Sequence, residues 1–165
     1  MPATEDLIQV GFSLHQEGKL EEAENAYKEA LAQDSDNAEI YNLLGVLKLQ
    51  QKDVISAVNF VEKAVEKQPN AYFYETLFQT YIRAKLYKEI VKRAQEVLKK
   101  FPNDFSLMFN LALAYKNLKR NKEAINFYER ALKIDPSSYD AWFNLSHLYS
   151  VEAQTNNALS ALKIC

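Results

Sequence analysis

Three prolines recur at an almost constant interval and limit what this chain can fold into. Pro69, Pro102 and Pro136 are separated by 33 and 34 residues. Each follows an apolar run of helical character, written KAVEKQP, EVLKKFP and RALKIDP. Proline is common just past the end of a helix because it cannot continue the hydrogen-bonded ladder. The chain is therefore predicted to consist of a helical unit that repeats about every 34 residues.

Small side chains keep the same interval. One series contains Ala23, Ala57, Ala124 and Ala158, and a second contains Ala30, Ala64 and Ala131. Within a unit, apolar residues recur three and four positions apart, which is the pattern of a helix with one buried face. A short polar break such as KNLKRNKE separates two of these runs. Each unit is therefore predicted to be a pair of antiparallel helices. Asp53, Asn121 and Thr155 are expected near the starts of second helices, as caps.

The repeated positions match the signature of one known family, which is Trp-x2-Leu-Gly-x2-Tyr, then Ala-x3-Phe, then Pro. The second unit supplies Tyr41, Leu44, Gly45, Ala57 and Pro69. The fourth supplies Met108, Leu111, Ala112, Tyr115, Ala124, Tyr128 and Pro136, and the fifth supplies Trp142, Leu145, Ser146, Tyr149 and Ala158. The chain therefore resembles the tetratricopeptide repeat (TPR) family over nearly its whole length.

This resemblance implies a fold class and a domain organisation. The fold class is all-α, a right-handed superhelix or α-solenoid of antiparallel helix pairs. We expect a single array over residues 1–165, with unit bounds near 4–37, 38–70, 71–104, 105–138 and 139–165. The last unit is incomplete, because Cys165 falls in the middle of a second helix. Repeat arrays usually end in a capping element, so the chain is expected to be the N-terminal part of a longer protein.

The third unit departs from the pattern. Phe78 occupies the place of glycine or alanine, Ile90 and Val97 replace small alanines, and Ala94 replaces the large aromatic. This exchange of large for small side chains roughly conserves volume, which cores tolerate better than a net change. We expect the two helices of this unit to cross at a different angle.

The composition and the spacing of reactive side chains argue against several classes of function. The 20 basic and 22 acidic residues give no basic field that would favour nucleic acid. The sequence has one cysteine, no glycine-rich phosphate loop, and two histidines, His15 and His147, almost four repeats apart. We therefore expect no catalysis, no cofactor and no metal site in this chain. The acidic start argues against a signal peptide, and no run of about 18 apolar residues occurs, so a cytoplasmic chain without a membrane span is expected.

Charge is unevenly distributed along the chain. Residues 1–40 hold ten acidic and two basic side chains, a net charge of −8, whereas residues 83–100 hold seven basic and two acidic ones, a net charge of +5. Such asymmetry could steer a partner or favour contact between copies. The alternative is that both segments are solvated helix faces whose interactions salt screens.

One stripe of each first helix lies about 100° around the helix from the packed positions. By resemblance to the family, this first-helix stripe lines the concave face of the superhelix. The residues predicted to bind a peptide there are Thr76, Gln79, Arg83, Phe109, Asn110, Leu113, Lys116, Phe143, Asn144 and His147. The first two units place Ile8, Gln9, Phe12, Asn42, Leu43 and Val46 on the same stripe.

The stretch DAWFNLSHLY, residues 140–149, is predicted to divide by face. Trp142, Leu145, Ser146 and Tyr149 belong to the repeat signature and are expected to pack against neighbouring helices. Phe143, Asn144 and His147 lie on the first-helix stripe and are candidates for contact with a partner.

These patterns favour a protein–protein interaction scaffold that binds a peptide or partner segment and has no catalysis of its own. A role in carboxylate-clamp binding of chaperones is disfavoured, because Ile8 and Phe12 occupy the first lysine and asparagine positions of that clamp. Similarity to the arrays of O-linked N-acetylglucosamine transferases is partial, since Asn110 and Asn144 fall in their asparagine ladder but Thr76 does not. Two alternatives stay open. The chain could present substrates for a larger enzyme such as a glycosyltransferase, or it could self-assemble into a homo-oligomer through its last unit or through contacts between acidic and basic segments.

Overall fold

The computed structural model describes residues 2–152. Over that range the chain forms nine α-helices and no strand. The helices are α1 (Thr4–Gln16), α2 (Leu20–Gln33), α3 (Ala38–Gln50), α4 (Val54–Lys67), α5 (Ala71–Arg83), α6 (Tyr87–Lys100), α7 (Phe105–Asn117), α8 (Asn121–Ile134) and α9 (Tyr139–Val151). The predicted all-α fold class is confirmed.

The prolines end the helices as predicted. The second helices α4, α6 and α8 end at Lys67, Lys100 and Ile134, and a proline follows two positions beyond each end. Short polar side chains then begin the next first helix by accepting hydrogen bonds from its free backbone N–H groups. The caps of α3, α5, α7 and α9 are Asn37, Asn70, Asp104 and Ser138. The chain is therefore stopped and restarted by local chemistry at each of these junctions.

The caps predicted for the second helices have mixed outcomes. Asp53 caps α4 by accepting a hydrogen bond from the Ser56 backbone N–H at 3.1 Å, as predicted. Asn121 lies at the start of α8 as predicted, but it does not cap the helix, because it is the first residue inside α8 and its side-chain amide donates to Glu152 at 2.9 Å. Thr155 lies outside the described residues.

The turn inside a helix pair uses one backbone conformation repeatedly. Gly18, Lys52, Lys85 and Lys119 have φ of 78°, 63°, 58° and 61°, in the left-handed region. After α3, the Asp53 N–H reaches back to the Lys48 carbonyl at 2.9 Å, and after α7 the Arg120 N–H reaches the Tyr115 carbonyl at 2.9 Å. This is the helix end in which a left-handed residue lets the chain satisfy its last carbonyls. Only the first such turn carries glycine, so the others hold lysine in a conformation that is unfavourable for a side chain.

The chain divides into two compact units, Met1–Ala84 and Lys85–Cys165. The division falls between α5 and α6, the two helices of the third repeat, in which the sequence departs from the family pattern. In the first unit α1 pairs with α2 and α3 with α4, while α5 packs on α3 and α4. In the second unit α7 pairs with α8, and α6 and α9 pack on α7 and α8 respectively.

Each unit has its own core of signature residues. The first core contains Leu7, Ala23, Tyr27, Ala30, Ile40, Leu44 and Leu47. The second contains Ala112, Ala124, Tyr128, Leu132, Ala141, Leu145, Leu148 and Tyr149. The exchanged residues of the third repeat, Phe78, Ile90, Ala94 and Val97, are all buried.

Glycine at the signature position lets the helices of a pair approach closely. A Cβ atom on Gly45 of α3 would lie 2.3 Å from Cγ2 of Val61 in α4. A Cβ atom on Gly11 of α1 would lie 2.6 Å from Cε1 of Tyr27 in α2. Carbon atoms normally approach no closer than about 3.5 Å, so these two helix pairs leave no room for a side chain at the crossing.

A polar cluster joins the first repeat to the second. The Lys48 ammonium donates to Glu24 at 2.8 Å and to the side-chain oxygen Oε1 of Gln51 at 2.9 Å. The side-chain amide of Gln51 donates to Glu24 at 3.0 Å. Burial raises the pKa of the Glu24 carboxyl, but hydrogen bonds from Lys28, Lys48 and Gln51 outweigh it and lower the pKa to about 2. The cluster therefore keeps its charges paired where α2 meets α3.

Candidate peptide-binding surface

The first unit has a cleft between α3 and α5. Its volume is about 300 Å³. The lining residues are Val46, Leu49, Gln50, Tyr72, Glu75, Thr76, Gln79 and Arg83. Three of the residues predicted to bind a peptide, Thr76, Gln79 and Arg83, therefore lie in one cleft together with Val46 of the same stripe.

The polar side chains of this cleft differ in how far they are already satisfied. The Thr76 hydroxyl is buried and donates to the Tyr72 backbone carbonyl at 3.1 Å, so it is used within α5. Gln79 is exposed, and its amide donates to Glu75 at 3.1 Å. Arg83 is exposed in the last turn of α5 and forms no ion pair within residues 2–152. The cleft therefore offers one unpaired cation and an amide to a bound segment.

Two buried polar groups in the first unit were not foreseen. Asn42 was predicted to line the stripe, but it is 1% exposed, and its Oδ1 has no hydrogen-bond partner among the described residues. His15 is 8% exposed, with Nδ1 at 3.5 Å from the Tyr27 hydroxyl and Nε2 unpaired within the same range. Burial lowers the pKa of His15, and this effect is larger than that of the Gln50 side chain, which acts in the opposite direction. Both side chains are therefore packed interior groups rather than groove contacts.

The second unit brings α7 and α9 together through two predicted residues. The Lys116 ammonium donates to Oδ1 of Asn144 at 2.6 Å, and the Asn144 amide donates to the Asp140 backbone carbonyl at 2.8 Å. Lys116 is half-buried; burial lowers its pKa, and the positive charge of Lys119 lowers it further. No carboxylate within the described part of the chain lies within ion-pair distance of Lys116. The positive charge is therefore held by a neutral amide.

An exposed aromatic row runs along α9 beside this contact. Tyr139 and Phe143 are 57% and 52% exposed. Their rings stack with centroids 6.1 Å apart and planes 14° apart. His147 is exposed four positions further along the same face. We call these three residues the α9 row; it presents aromatic rings on either side of Asn144, with the exposed phenyl ring of Phe143 on one side and the imidazole of His147 on the other.

The predicted α7 residues lie deeper than Phe143. Phe109 is half-buried, with its ring edge-on to Tyr128 of α8 at a centroid distance of 5.5 Å and stacked on Phe105 at 5.8 Å. Leu113 is half-buried. Asn110 is 6% exposed, so it is nearly as buried as Asn42. Phe109 therefore serves partly as core, and Asn110 is a buried side chain rather than an open groove contact.

The division of DAWFNLSHLY by face is confirmed. Leu145, Ser146 and Tyr149 are buried, and Trp142 is partly buried with its indole N–H donating to the Pro136 carbonyl at 2.9 Å. Phe143 and His147 are exposed and Asn144 is half-buried, on the side that carries the contact with Lys116.

The two units are thus stacks of helices in which first and second helices both contribute to the core, while another face of each first helix presents side chains outward. This arrangement defines a helical-repeat protein. Family models place it more closely: a model described as TPR repeat matches residues 11–52, and models described as tetratricopeptide repeat match residues 38–70, 106–138 and 127–160. The chain belongs to the tetratricopeptide repeat family.

Several solved structures are similar to this chain in fold. YrrB, described as a TPR protein with an unusual peptide-binding site, is 23% identical with a TM-score of 0.77, over 96% of this chain and 82% of YrrB. The MamA RS-1 ArsTM double mutant is 18% identical with a TM-score of 0.87, over 98% and 91% of the two chains. Another MamA structure is 20% identical with a TM-score of 0.86, over 98% and 88%. These likenesses show that the chain shares its fold with these proteins.

The sequence has no significant match among curated proteins. Within residues 2–152, no helix has the length and apolar character needed to cross a membrane, and no group of three or more His, Cys, Asp or Glu side chains is placed to hold a metal ion.

Proposed function

We propose that this chain is a non-catalytic interaction module that holds a peptide or a segment of a partner protein along its first-helix stripe. The observation that carries the proposal is the exposed, stacked pair of Tyr139 and Phe143 beside the half-buried ammonium of Lys116. Aromatic rings that lie exposed next to a partly desolvated charge are typical of a surface that a partner covers.

The magnitudes agree with a segment that contacts several of these groups. Micromolar binding requires roughly 8 kcal/mol. Covering a large apolar side chain fully contributes about 1.5–3 kcal/mol, so covering the exposed half of Phe143 contributes about 1–1.5 kcal/mol. A hydrogen bond to the free N–H of Asn144 contributes about 0.5–1.5 kcal/mol. The remainder would come from the other members of the α9 row, from Leu113, and from side chains of the partner.

The similarity to YrrB is consistent with this proposal but does not transfer its site, because the likeness is of fold. The cleft of the first unit, with Gln79 and Arg83, is a second place where a polar segment could be held. In the same proposal the chain itself performs no reaction, and it works in the cytoplasm as part of a larger assembly.

The test is selection of a phage-displayed library of random 12-residue peptides on the purified chain, followed by fluorescence anisotropy with the selected peptides. Phe143→Ala should weaken their binding about five- to tenfold, the equivalent of the 1–1.5 kcal/mol above. Ile55→Ala is a suitable control, since Ile55 is 79% exposed on α4, away from the first-helix stripe. Equal affinities of wild type and Phe143→Ala for every selected peptide would place the binding site elsewhere.

Self-assembly remains a second candidate because of the charge on α6. Lys88, Lys92 and Lys99 are exposed on one face of this helix, at spacings of four and seven. We infer that this face could attract the acidic residues 1–40 of another copy. Sedimentation velocity at low and high salt tests this candidate, and a monomer at about 10 mM salt, where the screening length is about 30 Å, would exclude it.

A further inference from the structure

We propose that the surface formed by α7 and α9 selects a segment with an internal acidic side chain, an aspartate or glutamate, next to an apolar residue. The carboxylate would bind Lys116, and the apolar residue would cover the α9 row of Tyr139, Phe143 and His147. This inference rests on the proposed function, and it adds the chemistry of the ligand.

Lys116 has hydrogen-bond donors and a positive charge that the protein leaves largely unpaired. A lysine ammonium has three N–H donors and no acceptor. One donor is used by Asn144 at 2.6 Å, so two remain. No ion-pair partner of Lys116 is found within residues 2–152. Besides burial, the like charge of Lys119 lowers the pKa of Lys116. A half-buried cation with only a neutral partner gains most from an incoming carboxylate, because the ion pair forms where water is already partly excluded.

This lysine is particular to one unit. The equivalent positions in the other units, at the repeat spacing of 33 or 34, hold His15, Leu49, Ile82 and Ser150. His15 and Leu49 are at least partly buried, and neither carries the charge that Lys116 supplies. The repeat fold therefore does not require a cation at this position, and its presence in the fourth unit calls for a different explanation from packing.

The layout of the α9 row favours an internal side chain over a chain terminus. Tyr139 and Phe143 precede Asn144 along α9, and His147 follows it. At a rise of 1.5 Å per residue, the row extends about 12 Å, on both sides of the Lys116–Asn144 contact. A segment that covers the row therefore continues past the carboxylate in both directions, which a terminal carboxylate cannot do.

The experiment uses the same random 12-residue library, displayed in one arm with blocked ends and in a second arm with free C-termini. Blocked-end peptides selected on the wild type should be enriched in Asp or Glu next to Phe, Tyr, Leu or Met. Replacing that Glu with Gln in a selected peptide should weaken wild-type binding about tenfold, as expected for the loss of a charge-assisted hydrogen bond. With Lys116→Gln, the Glu and Gln peptides should bind within about twofold of each other.

Two control variants separate charge from structure. Lys116→Arg keeps the charge and should keep the preference for Glu over Gln. Lys122→Gln removes one charge from the exposed surface of α8 and should leave the preference unchanged. If Lys122→Gln reduced the preference as much as Lys116→Gln, the effect would come from net charge and the inference would be wrong.

The remaining outcomes distinguish this inference from the proposed function. Peptides that lose affinity with Phe143→Ala but show no preference for acidic residues would overturn the inference and leave the proposed function standing. Enrichment only in the arm with free C-termini would show that a terminal carboxylate binds, and it would overturn the inference of an internal acidic side chain. Failure to enrich any peptide in either arm, or selected peptides indifferent to both Phe143→Ala and Lys116→Gln, would overturn both.

Discussion

The close crossing of α3 and α4 at Gly45 predicts how much an alanine at this position would change the stability of the protein. In Gly45→Ala, the added Cβ would lie 2.3 Å from Cγ2 of Val61, which is itself fully buried. An ordinary carbon–carbon contact is about 3.5–4.0 Å, so α3 and α4 must separate by about 1 Å or Val61 must leave its rotamer. Overpacking of this kind costs about 1–3 kcal/mol. Alanine in a helix interior is favoured over glycine by about 0.8–1.0 kcal/mol, so the net loss of stability should be about 1 kcal/mol.

Val61, whose Cγ2 atom lies closest to the new Cβ, provides a test of the close approach. In a Val61→Ala background the Cγ2 atom is absent, and the remaining neighbours of the new Cβ are backbone atoms at 3.4 Å. Gly45→Ala should then stabilise the protein by up to about 1 kcal/mol, because only the helix propensity gain is left. The two changes should therefore be coupled by about 1–3 kcal/mol, which is the overpacking term.

Urea unfolding followed by circular dichroism at 222 nm would measure all four proteins of this cycle. The m-values should agree, since a change in m would mean that a different part of the chain is unfolding. If Gly45→Ala changed stability by the same amount with Val61 and with Ala at position 61, the close approach would not explain the glycine, and the account of the signature position would be refuted.

Two further predictions concern single residues. Burial lowers the pKa of His15 from its usual 6.5, so the unfolded chain takes up the proton first and stability should fall as pH drops below about 6.5. His15→Leu, which copies Leu49 of the next repeat, should flatten the pH dependence of the urea midpoint between pH 7 and 5. An unchanged pH dependence would contradict the lowered pKa of His15. Lys119→Gly should raise the free energy of unfolding by about 0.5–1 kcal/mol, because glycine tolerates the φ of 61° without steric cost. The reverse change, Gly18→Ala at a φ of 78° with open space around the glycine, should lower the free energy of unfolding by a similar amount. If thermal unfolding showed both variants shifting stability in the same direction, backbone strain at these turns would not be the cause.

Most of the fold could be predicted because its determinants are local and repeated. The prolines after α4, α6 and α8 and the small residues in the two alanine series recur in phase, so each position is supported by its counterparts in other units. The cap of α8 was missed because the polar break KNLKRNKE offers several candidates within two residues, and sequence spacing alone does not decide between Arg120 and Asn121. The unfavourable φ at Lys52, Lys85 and Lys119 has no sequence signal of its own; only the glycine at the equivalent first turn points to it.

The faces of the first helices were predictable, but the contacts between them were not. Helical periodicity alone separates Phe143 and His147 from Leu145 and Tyr149, and the structure agrees. The bond between Lys116 and Asn144 joins residues 28 positions apart on different helices, so no local pattern announces it. The burial of Asn42 and the packing of Phe109 on Tyr128 likewise depend on neighbouring helices that a one-helix pattern does not include.

Recognition in such a protein must come from the residues that the repeat leaves free. Leu145, Tyr149 and Tyr128 are fixed by the core of the second unit, so they are the residues by which the family is known and they carry little information about a partner. The position of Lys116 is free to vary, and across the units it holds an imidazole, two aliphatic side chains, an ammonium and a hydroxyl. Because the fold is indifferent to this choice, we propose that the chemistry at that position is set by the ligand. The unpaired ammonium beside an exposed aromatic row favours an acidic and apolar segment in that proposal.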